Sequence, residues 1–248
     1  INNIFYKLFY KFLLIIELIF RLFNIKYDRD RSIIISKFYS REIQKKINNK
    51  KFDYILIHQC SLVSYLKTRI PIIIWTDLTF DLYQRNYFKN FKSYFSQSKT
   101  NGNKLEILAL KKAKKIIYTS SYTKLNAINK YKIKPSKIKV LPFGSNIDVN
   151  LKDKQRQIIL NKRINSKKKV IRFLSVGGDW YRKGMDTSID VVRELRNMGF
   201  KCKIDIVGEK EPHNYLKPDF VKTHGFLNRN KLIEKKKLVS LFKESHFF

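Results

Sequence analysis

Short apolar runs alternate with amphipathic segments along most of this chain. The runs are rich in Ile and Val, as in strands buried in parallel sheets, and the intervening segments repeat apolar residues at helical spacing. Predicted strands are residues 54–57, 70–75, 116–118, 138–141, 170–176, 203–207 and 220–223. Predicted helices begin near residue 33 and then cover residues 61–67, 104–114, 121–131, 185–198 and 231–243. This alternation predicts βαβ units, an α/β fold and doubly wound sheets.

A polar stretch divides the pattern into two series. The chain is 248 residues long, a length that allows one large α/β domain or two smaller ones. We expect an N-terminal domain at residues 1–147, a linker with a surface helix at 148–168, and a second domain at 169–248. Residues 245–248 resemble the start of a strand. We therefore expect the sequence to be a fragment, incomplete at its C-terminus and at its start.

The first residues of the chain form a dense apolar segment, residues 4–23, which Lys7, Lys11, Glu17 and Arg21 interrupt. Its uncharged runs are far shorter than the roughly 20 residues that cross a bilayer. Two interpretations remain open. Either this helix packs on its own sheet, or it lies in a membrane interface with its cations among lipid headgroups.

Composition narrows the class of protein. The chain has 53 Lys and Arg against 20 Asp and Glu, a net charge of +33, and 44% hydrophobic residues, so a disordered basic tail is excluded. The charge indicates attraction to polyanions, or merely a lysine-rich surface from an AT-rich genome. Cys60 and Cys202 lack metal-ligand spacing, and eight Gly and five Pro exclude fibrous classes. A reducing, cytoplasmic compartment fits best.

The strongest local signal is a strand that ends in a glycine pair, Gly177 and Gly178, followed by a loop and then Arg182, Lys183 and Gly184 at a helix start. Glycines let backbone N–H groups approach a ligand closely, and a helix N-terminus with two cations favours phosphates. This segment therefore predicts a site for a diphosphate.

Glycines also stand at two further strand ends, Gly208 and Gly225. All three glycine sites should lie at the carboxyl edge of one sheet, where open α/β sheets bind ligands. Trp180, in the first loop, either stacks on a ligand or packs within the loop.

These motifs, in this order and at these intervals, resemble the family 4 glycosyltransferases. The quoted signals are the strand ending in Gly, the Lys-Gly at the next helix, the Ile-Val-Gly strand end and the His-Gly-Phe-Leu turn. The similarity extends through residues 71–80, 120–123 and 137–148, and covers about residues 54–248. It implies the GT-B fold, two Rossmann-like domains with a cleft between them, and transfer of a sugar from a nucleotide diphosphate to a glycan or lipid-linked acceptor with retention of anomeric configuration.

The resemblance also implies roles for individual residues. Lys183 would bind the donor diphosphate and offset charge on the departing nucleotide, with Gly177, Gly178, Arg182 and Gly184 around the phosphates. The nucleotide base and ribose would be bordered by Gly208, Gly225, Phe226 and Leu227. Asp77 would face the transferred sugar or the acceptor, although an Asp that caps a helix would look the same. No metal ion or other cofactor is expected.

Two departures from the family pattern matter. Position 178 is Gly where the family commonly has Arg, so either Arg182 substitutes or the cation is lost. The family's two glutamates, eight positions apart, have no counterpart in this sequence, so we expect the chain alone to be impaired.

Other interpretations stay open beside the transferase. His58 either lines the cleft or is a structural residue at a strand end. The alternative function is a basic, non-enzymatic protein that binds polyanions, although no nucleic-acid motif supports it and no specific nucleic acid is expected. We expect a cytoplasmic protein, peripheral on the inner face of an anionic membrane.

Overall fold

A computed structural model describes residues 4–48, 50–88, 91–144, 153–164, 170–208, 211–212 and 216–248. The chain divides into two compact units, Ile1–Gly144 and Ser145–Phe248. The predicted polar linker lies partly outside the described residues. Each unit is considered by itself.

The first unit contains five helices and six short strands within its described residues. In chain order these are α1 (Ile4–Leu22), β1 (Ile25–Lys26), α2 (Ile33–Asn48), β2 (Ile55–Ile57), β3 (Ile72–Thr76), α3 (Phe80–Tyr87), β4 (Ser93–Tyr94), α4 (Ser96–Lys112), β5 (Lys115–Tyr118), α5 (Ser121–Tyr131) and β6 (Ile138–Val140). Strands β2, β3, β5 and β6 form a parallel sheet in that order, and β1 pairs with β4 in a separate two-stranded sheet.

The core of this unit lies on the central strands. Ile74 of β3 and Ile116 and Tyr118 of β5 have no exposed surface, because alternate residues of a strand point to the same face. They pack in one cluster with apolar residues of α4 and α5, among them Leu110 and Ala127. Helices therefore cover the sheet as the sequence pattern predicted.

The predicted helix at residues 61–67 is wrong. A single 3₁₀ turn, Cys60–Leu62, stands there. The ammonium of Lys112 on α4 donates to the carbonyls of Val63, Ser64 and Leu66 at 3.1, 3.0 and 2.6 Å. These three carbonyls accept hydrogen bonds from the Lys112 ammonium instead of from the backbone N–H groups of a continuing helix.

Helix α1 packs through one side only. Tyr6 stacks on Phe38 of α2 with ring centroids 4.1 Å apart, and Leu13 is buried. Glu17 accepts from Lys26 at 2.7 Å and from Arg29 at 2.5 Å, which ties the helix to the segment that follows it. Among the described residues, no helix is both long enough and apolar enough to span a bilayer.

The second unit is a smaller parallel sheet with helices on both faces. Its elements are α6 (Asp153–Ile164), β7 (Ile171–Gly177), α7 (Met185–Asn197), β8 (Cys202–Gly208), β9 (Val221–Thr223) and α8 (Leu232–Glu244). The strand order is β7-β8-β9. One face packs on α7 through a cluster that includes Met185, Ile189, Ile204 and Ile206, and the other packs on α8 through Leu174, Val207, Leu227 and Leu238.

Strand β7 has a neighbour on each side. Phe247 forms a parallel bridge with Phe173, and the Leu174 N–H donates to the Phe247 carbonyl at 2.9 Å. The chain leaves β7 toward β8 through α7 and returns to the opposite side of β7 through α8. Of the strand start predicted at residues 245–248, the structure shows a bridge at Phe247, on the side of β7 where a doubly wound sheet continues. The prediction of an α/β fold with parallel, Rossmann-like sheets is confirmed.

Candidate functional site

The carboxyl end of β7 lies where the sheet changes its direction of winding. Its two neighbours, β8 and the segment at Phe247, are reached by connections that run in opposite directions. In open α/β sheets, a crevice opens outside the carboxyl ends of the strands at this point, and ligands bind there. Gly177 ends β7 at this position, so the strongest sequence signal coincides with the place that topology favours for a ligand.

Lys183 folds back over the end of that strand. A Cβ built at Gly177 would lie 2.5 Å from Cγ of Lys183 and 2.9 Å from its Cβ, so the lysine stem occupies the space that a side chain at residue 177 would need. The Lys183 residue is nevertheless exposed to solvent. Glycine at 177 therefore allows a cation to sit directly above the strand end.

The loop between β7 and α7 is closed by its own backbone. The N–H groups of Lys183 and Met185 donate to the carbonyls of Asp179 and Trp180, each at 3.0 Å. Gly184 precedes α7 with φ of +65°, a conformation that favours glycine. The loop thus places Lys183 at the start of α7. The N-terminus of a helix favours anions.

Trp180 is 3% exposed and belongs to the apolar cluster under α7. Of the two interpretations of this residue, packing within the loop is the correct one. The indole anchors the loop to the core.

Arg182, expected beside the phosphates, is held by an acid. Its backbone N–H donates to Oδ1 of Asp179 at 3.0 Å, and its Nε donates to Oδ2 at 3.1 Å. The guanidinium therefore shares its charge with a carboxylate three residues away. Lys183 is the cation of this loop that lies over the strand end.

The other two glycine sites meet the same edge. Gly208 of β8 pairs in register with Gly177, and a Cβ at Gly208 would fall 1.7 Å from the Gly177 carbonyl oxygen. The Gly208 N–H donates to the Gly225 carbonyl at 2.9 Å. The structure therefore brings Gly177, Gly208, Gly225 and Lys183 together, with Gly178 beginning the loop.

A side-chain contact with β8 holds the turn after β9 in place. Nε2 of His224 lies 2.6 Å from Oδ1 of Asp205 in the middle of β8, and both side chains are nearly buried. Leu227 is buried against Leu174 and Leu238, so it is a core residue of this turn, whereas Phe226 is 76% exposed. Of this predicted pair, Phe226 is the one available to a ligand.

The first unit carries a separate cavity at the carboxyl ends of β2 and β3. Its volume is about 360 Å³. Residues from several elements line it, among them Asp28, Arg31, His58, Thr76, Asp77 and Glu106. Strand ends, a helix start and the turn before α2 meet here, so the polar residues come from distant parts of the sequence.

Asp77 lines this cavity and does not cap a helix. Thr79 is the N-cap of α3, because its Oγ1 accepts from the Leu82 N–H at 3.3 Å. The backbone carbonyl of Asp77 accepts from Oγ1 of Thr123 at 2.7 Å, which fixes the chain and leaves the carboxylate out of that contact. The capping interpretation of Asp77 is wrong.

His58 stands beside Asp77 in the cavity lining. Its Nδ1 lies 3.0 Å from the Trp75 carbonyl, so Nδ1 carries the proton and donates. His58 thus bonds the neighbouring strand, as a structural residue at a strand end would, and its ring also lines this cavity of the first unit.

A buried charge network, which no sequence pattern predicted, forms one side of the cavity. Arg31 lies with its Nε 3.6 Å from Oδ2 of Asp28 and its guanidinium carbon 4.8 Å above the ring of Phe80. Burial alone would lower the pKa of Arg31, but Asp28 and Glu106 hold it above its usual value. Asp28 and Arg31 lie three residues apart, whereas Glu106 belongs to α4, so no local spacing predicts its place beside them.

Glu106 is the acid at the bottom of this network. Burial raises the pKa of its carboxyl, against the opposing effects of Arg31, the Cys60 thiol and the Phe80 N–H. Burial, with Glu106 next, also raises the pKa of the Cys60 thiol well above its usual value. Cys60 is thus a poor nucleophile in the folded protein.

Within the part of the chain that the structure describes, no three His, Cys, Asp or Glu side chains cluster in a way that could hold a metal ion. At the end of β7, Lys183 is the cation that lies over the strand end.

Comparison with known proteins adds one structural likeness. No protein-family model and no curated protein matches the chain. Among solved structures, it is similar to the crystal structure of a glycosyltransferase from Rickettsia africae ESF-5, at 15% sequence identity and a TM-score of 0.46. The match covers 81% of this chain and 53% of that one, so this chain spans about half of that structure's length.

Proposed function

We propose that this protein is a retaining glycosyltransferase that moves a sugar from a nucleotide diphosphate donor to a hydroxyl of a glycan or lipid-linked acceptor. The observation that carries the proposal is the position of Lys183 over Gly177, at the switch point of a parallel sheet. A diphosphate at this edge meets a cation, a helix N-terminus and a strand end without side chains.

In this proposal, the second unit holds the nucleotide. Lys183 binds the diphosphate and stabilises the negative charge that grows on it as the bond to the sugar breaks, a contribution that is largest in the transition state. Protein cations supply this charge without a metal ion. The glycine-lined edge at Gly208 and Gly225 and the exposed ring of Phe226 border the base and ribose.

The cavity of the first unit receives the sugar or the acceptor in the same proposal. Carboxylates such as Asp77 accept hydrogen bonds from sugar hydroxyls, and His58 offers a ring nitrogen beside it. During transfer, the acceptor oxygen forms a bond to the anomeric carbon as the carbon–phosphate oxygen bond breaks. Attack and departure occur on the same face, and the acceptor proton passes to the leaving phosphate oxygen.

A titration of the intact chain tests the donor site. UDP, GDP and ADP are each added to the parent protein and to Lys183→Ala, and heat is measured. Loss of a charge-assisted contact should weaken the preferred nucleotide by about tenfold to a hundredfold. Lys201→Ala is the matched control, since Lys201 is exposed at the opposite edge of the sheet, just before β8.

The result that would overturn the proposal is equally specific. If every polyanion binds with a steep dependence on salt, and both lysine variants lose the same small amount of affinity, the net charge alone accounts for binding. The protein would then be a basic polyanion-binding protein.

A further inference from the structure

The outer side of α1 is an apolar stripe that faces solvent. Half or more of the surface is exposed at each of Ile4, Leu8, Phe12, Ile15, Leu18, Ile19 and Leu22. These positions are spaced by three and four residues, so they form one continuous side of the helix. Helix α1 packs on the protein through its opposite side, at Tyr6 and Leu13, so the stripe has no partner within the described part of this unit.

The charges of α1 are sorted between its two sides. Glu17, the one acid in the helix sequence, lies on the packed side, where Lys26 and Arg29 neutralise it. Lys7 and Lys11 are exposed and share the outer side with the stripe, because Lys11 lies three residues from Leu8 and four from Ile15, and Lys7 lies four residues from Lys11. The outer surface therefore combines apolar side chains with positive charge and carries no acid.

We propose that this side of α1 docks on an anionic lipid surface. Lipid chains take up the apolar side chains, while the lysine stems extend so that their ammonium groups reach headgroup phosphates. The helix lies in the plane of the interface and does not cross it.

Charge complementarity favours lipid over a second copy of the chain. Two copies that met through this side would bring Lys7 and Lys11 of each into an apolar interface without an acid to pair them, which is costly. An anionic bilayer supplies both the apolar phase and the opposite charge. The proposal is independent of the glycosyltransferase function.

Vesicle sedimentation of the intact chain tests the proposal. The parent protein is mixed at low salt with vesicles of phosphatidylcholine alone, or of phosphatidylcholine with phosphatidylglycerol. We expect binding to the anionic vesicles and at least roughly tenfold weaker binding by Leu8→Gln/Ile15→Gln, because buried apolar area is lost. The matched control is Leu232→Gln/Ile233→Gln, a pair equally apolar and exposed on α8.

A second pair of variants tests the charges. Lys7→Gln/Lys11→Gln should lower binding to anionic vesicles more than Lys111→Gln/Lys114→Gln, which removes the same charge from exposed residues at the end of α4 and just beyond it. Thermal unfolding and a nucleotide titration of each variant show whether folding and donor binding are retained, so failure of either proposal can be told from failure of the other.

Three outcomes would overturn the lipid proposal. The parent protein does not sediment with anionic vesicles at low salt, or the α1 and α8 variants lose binding equally. In the third outcome, the parent is a dimer by sedimentation equilibrium without lipid, and Leu8→Gln/Ile15→Gln makes it monomeric. The stripe would then be an interface between copies of this chain.

Discussion

The stem of Lys183 occupies the space above Gly177 that a Cβ at residue 177 would need. The sequence motif and the switch point of the sheet thus coincide at this pair of residues. The two lie six positions apart in the chain, at the carboxyl end of β7.

Gly177→Ala should displace Lys183 together with the backbone of its loop, because the obstructing atoms are the Cγ and Cβ of that lysine, and Cβ moves only with the backbone. We expect about tenfold weaker binding of the preferred nucleotide diphosphate. Calorimetry gives the affinity, and thermal unfolding verifies the fold. Gly144→Ala in the first unit is the control, since a Cβ there meets nothing within 4 Å. Equal affinity in all three proteins would contradict the role given to Lys183.

Gly208→Ala should destabilise the second unit strongly. Its φ is +130°, and the new Cβ would lie 1.7 Å from a backbone oxygen that cannot move freely. We expect a loss above about 3 kcal/mol in urea unfolding. Gly199→Ala also has a positive φ, +89°, but its Cβ meets no atom within 4 Å, so it should lose only about 1 to 2 kcal/mol. Similar losses at both positions would show that the strand contact is not the cause.

Thr79→Ala should destabilise the first unit by about 1 kcal/mol, because α3 loses its N-terminal cap. Thr79→Ser keeps the hydroxyl and should lose less. Asp77→Ala should change stability by no more than about 0.5 kcal/mol, since its carboxylate caps nothing. Urea unfolding of the three variants measures this. A large loss in Asp77→Ala alone would restore the capping interpretation.

Asp77→Asn should lower sugar transfer while the affinity for the nucleotide diphosphate stays at the parent value. The reason is that Asp77 lines the cavity of the first unit, whereas Lys183 belongs to the second. Product formation and calorimetry on the same preparation separate the two effects. Loss of nucleotide affinity would place Asp77 at the donor instead.

Glu106 should make stability depend on pH. Burial raises its pKa above the ordinary value of 4.5, so the folded protein holds this proton more tightly than the unfolded chain. The resulting stabilisation is present below that ordinary value and is lost as the pH rises through the folded-state pKa. Glu106→Gln lacks this titration and keeps an oxygen to accept from the Phe80 N–H.

Urea unfolding of both proteins at about pH 5 and about pH 8 tests this sign. The stability of Glu106→Gln relative to the parent should rise with pH. A difference that stays constant, or that falls, would contradict a raised pKa at residue 106.

Local patterns predicted much of the fold. Helix α5 covers the predicted residues 121–131, and Ser120 accepts from the Thr123 N–H as an N-cap does. The strands were predicted equally well, because buried parallel strands are apolar throughout. These features depend on neighbours in the sequence alone.

Tertiary contacts decided what the sequence did not predict. Helix α4 begins at Ser96, eight residues before the predicted start, although Gly102 and its polar neighbours indicate a turn. A Cβ at Gly102 would lie 2.1 Å from the Phe80 ring, so the glycine is required by packing between two helices. Strands β1 and β4, of two residues each, are too short to leave a pattern.

The candidate sites divide in the same way. The glycine pair and Lys183 lie within a short segment and were predicted together, whereas Glu106 of α4 meets Asp28 and Arg31 of the turn before α2. Sequence showed the cations of the loop but not that Asp179 holds Arg182. Pairing of this kind depends on the path of the backbone.

The contact between Lys183 and Gly177 also affects how much conformational entropy the lysine side chain loses when a ligand binds. A free lysine side chain samples many rotamers and loses up to about 2 kcal/mol of conformational entropy when it is immobilised. The Lys183 stem already lies against a backbone that offers no side chain to displace it. In the proposed donor site, part of that ordering would have occurred before a phosphate arrives, so a larger share of the electrostatic attraction would remain as affinity.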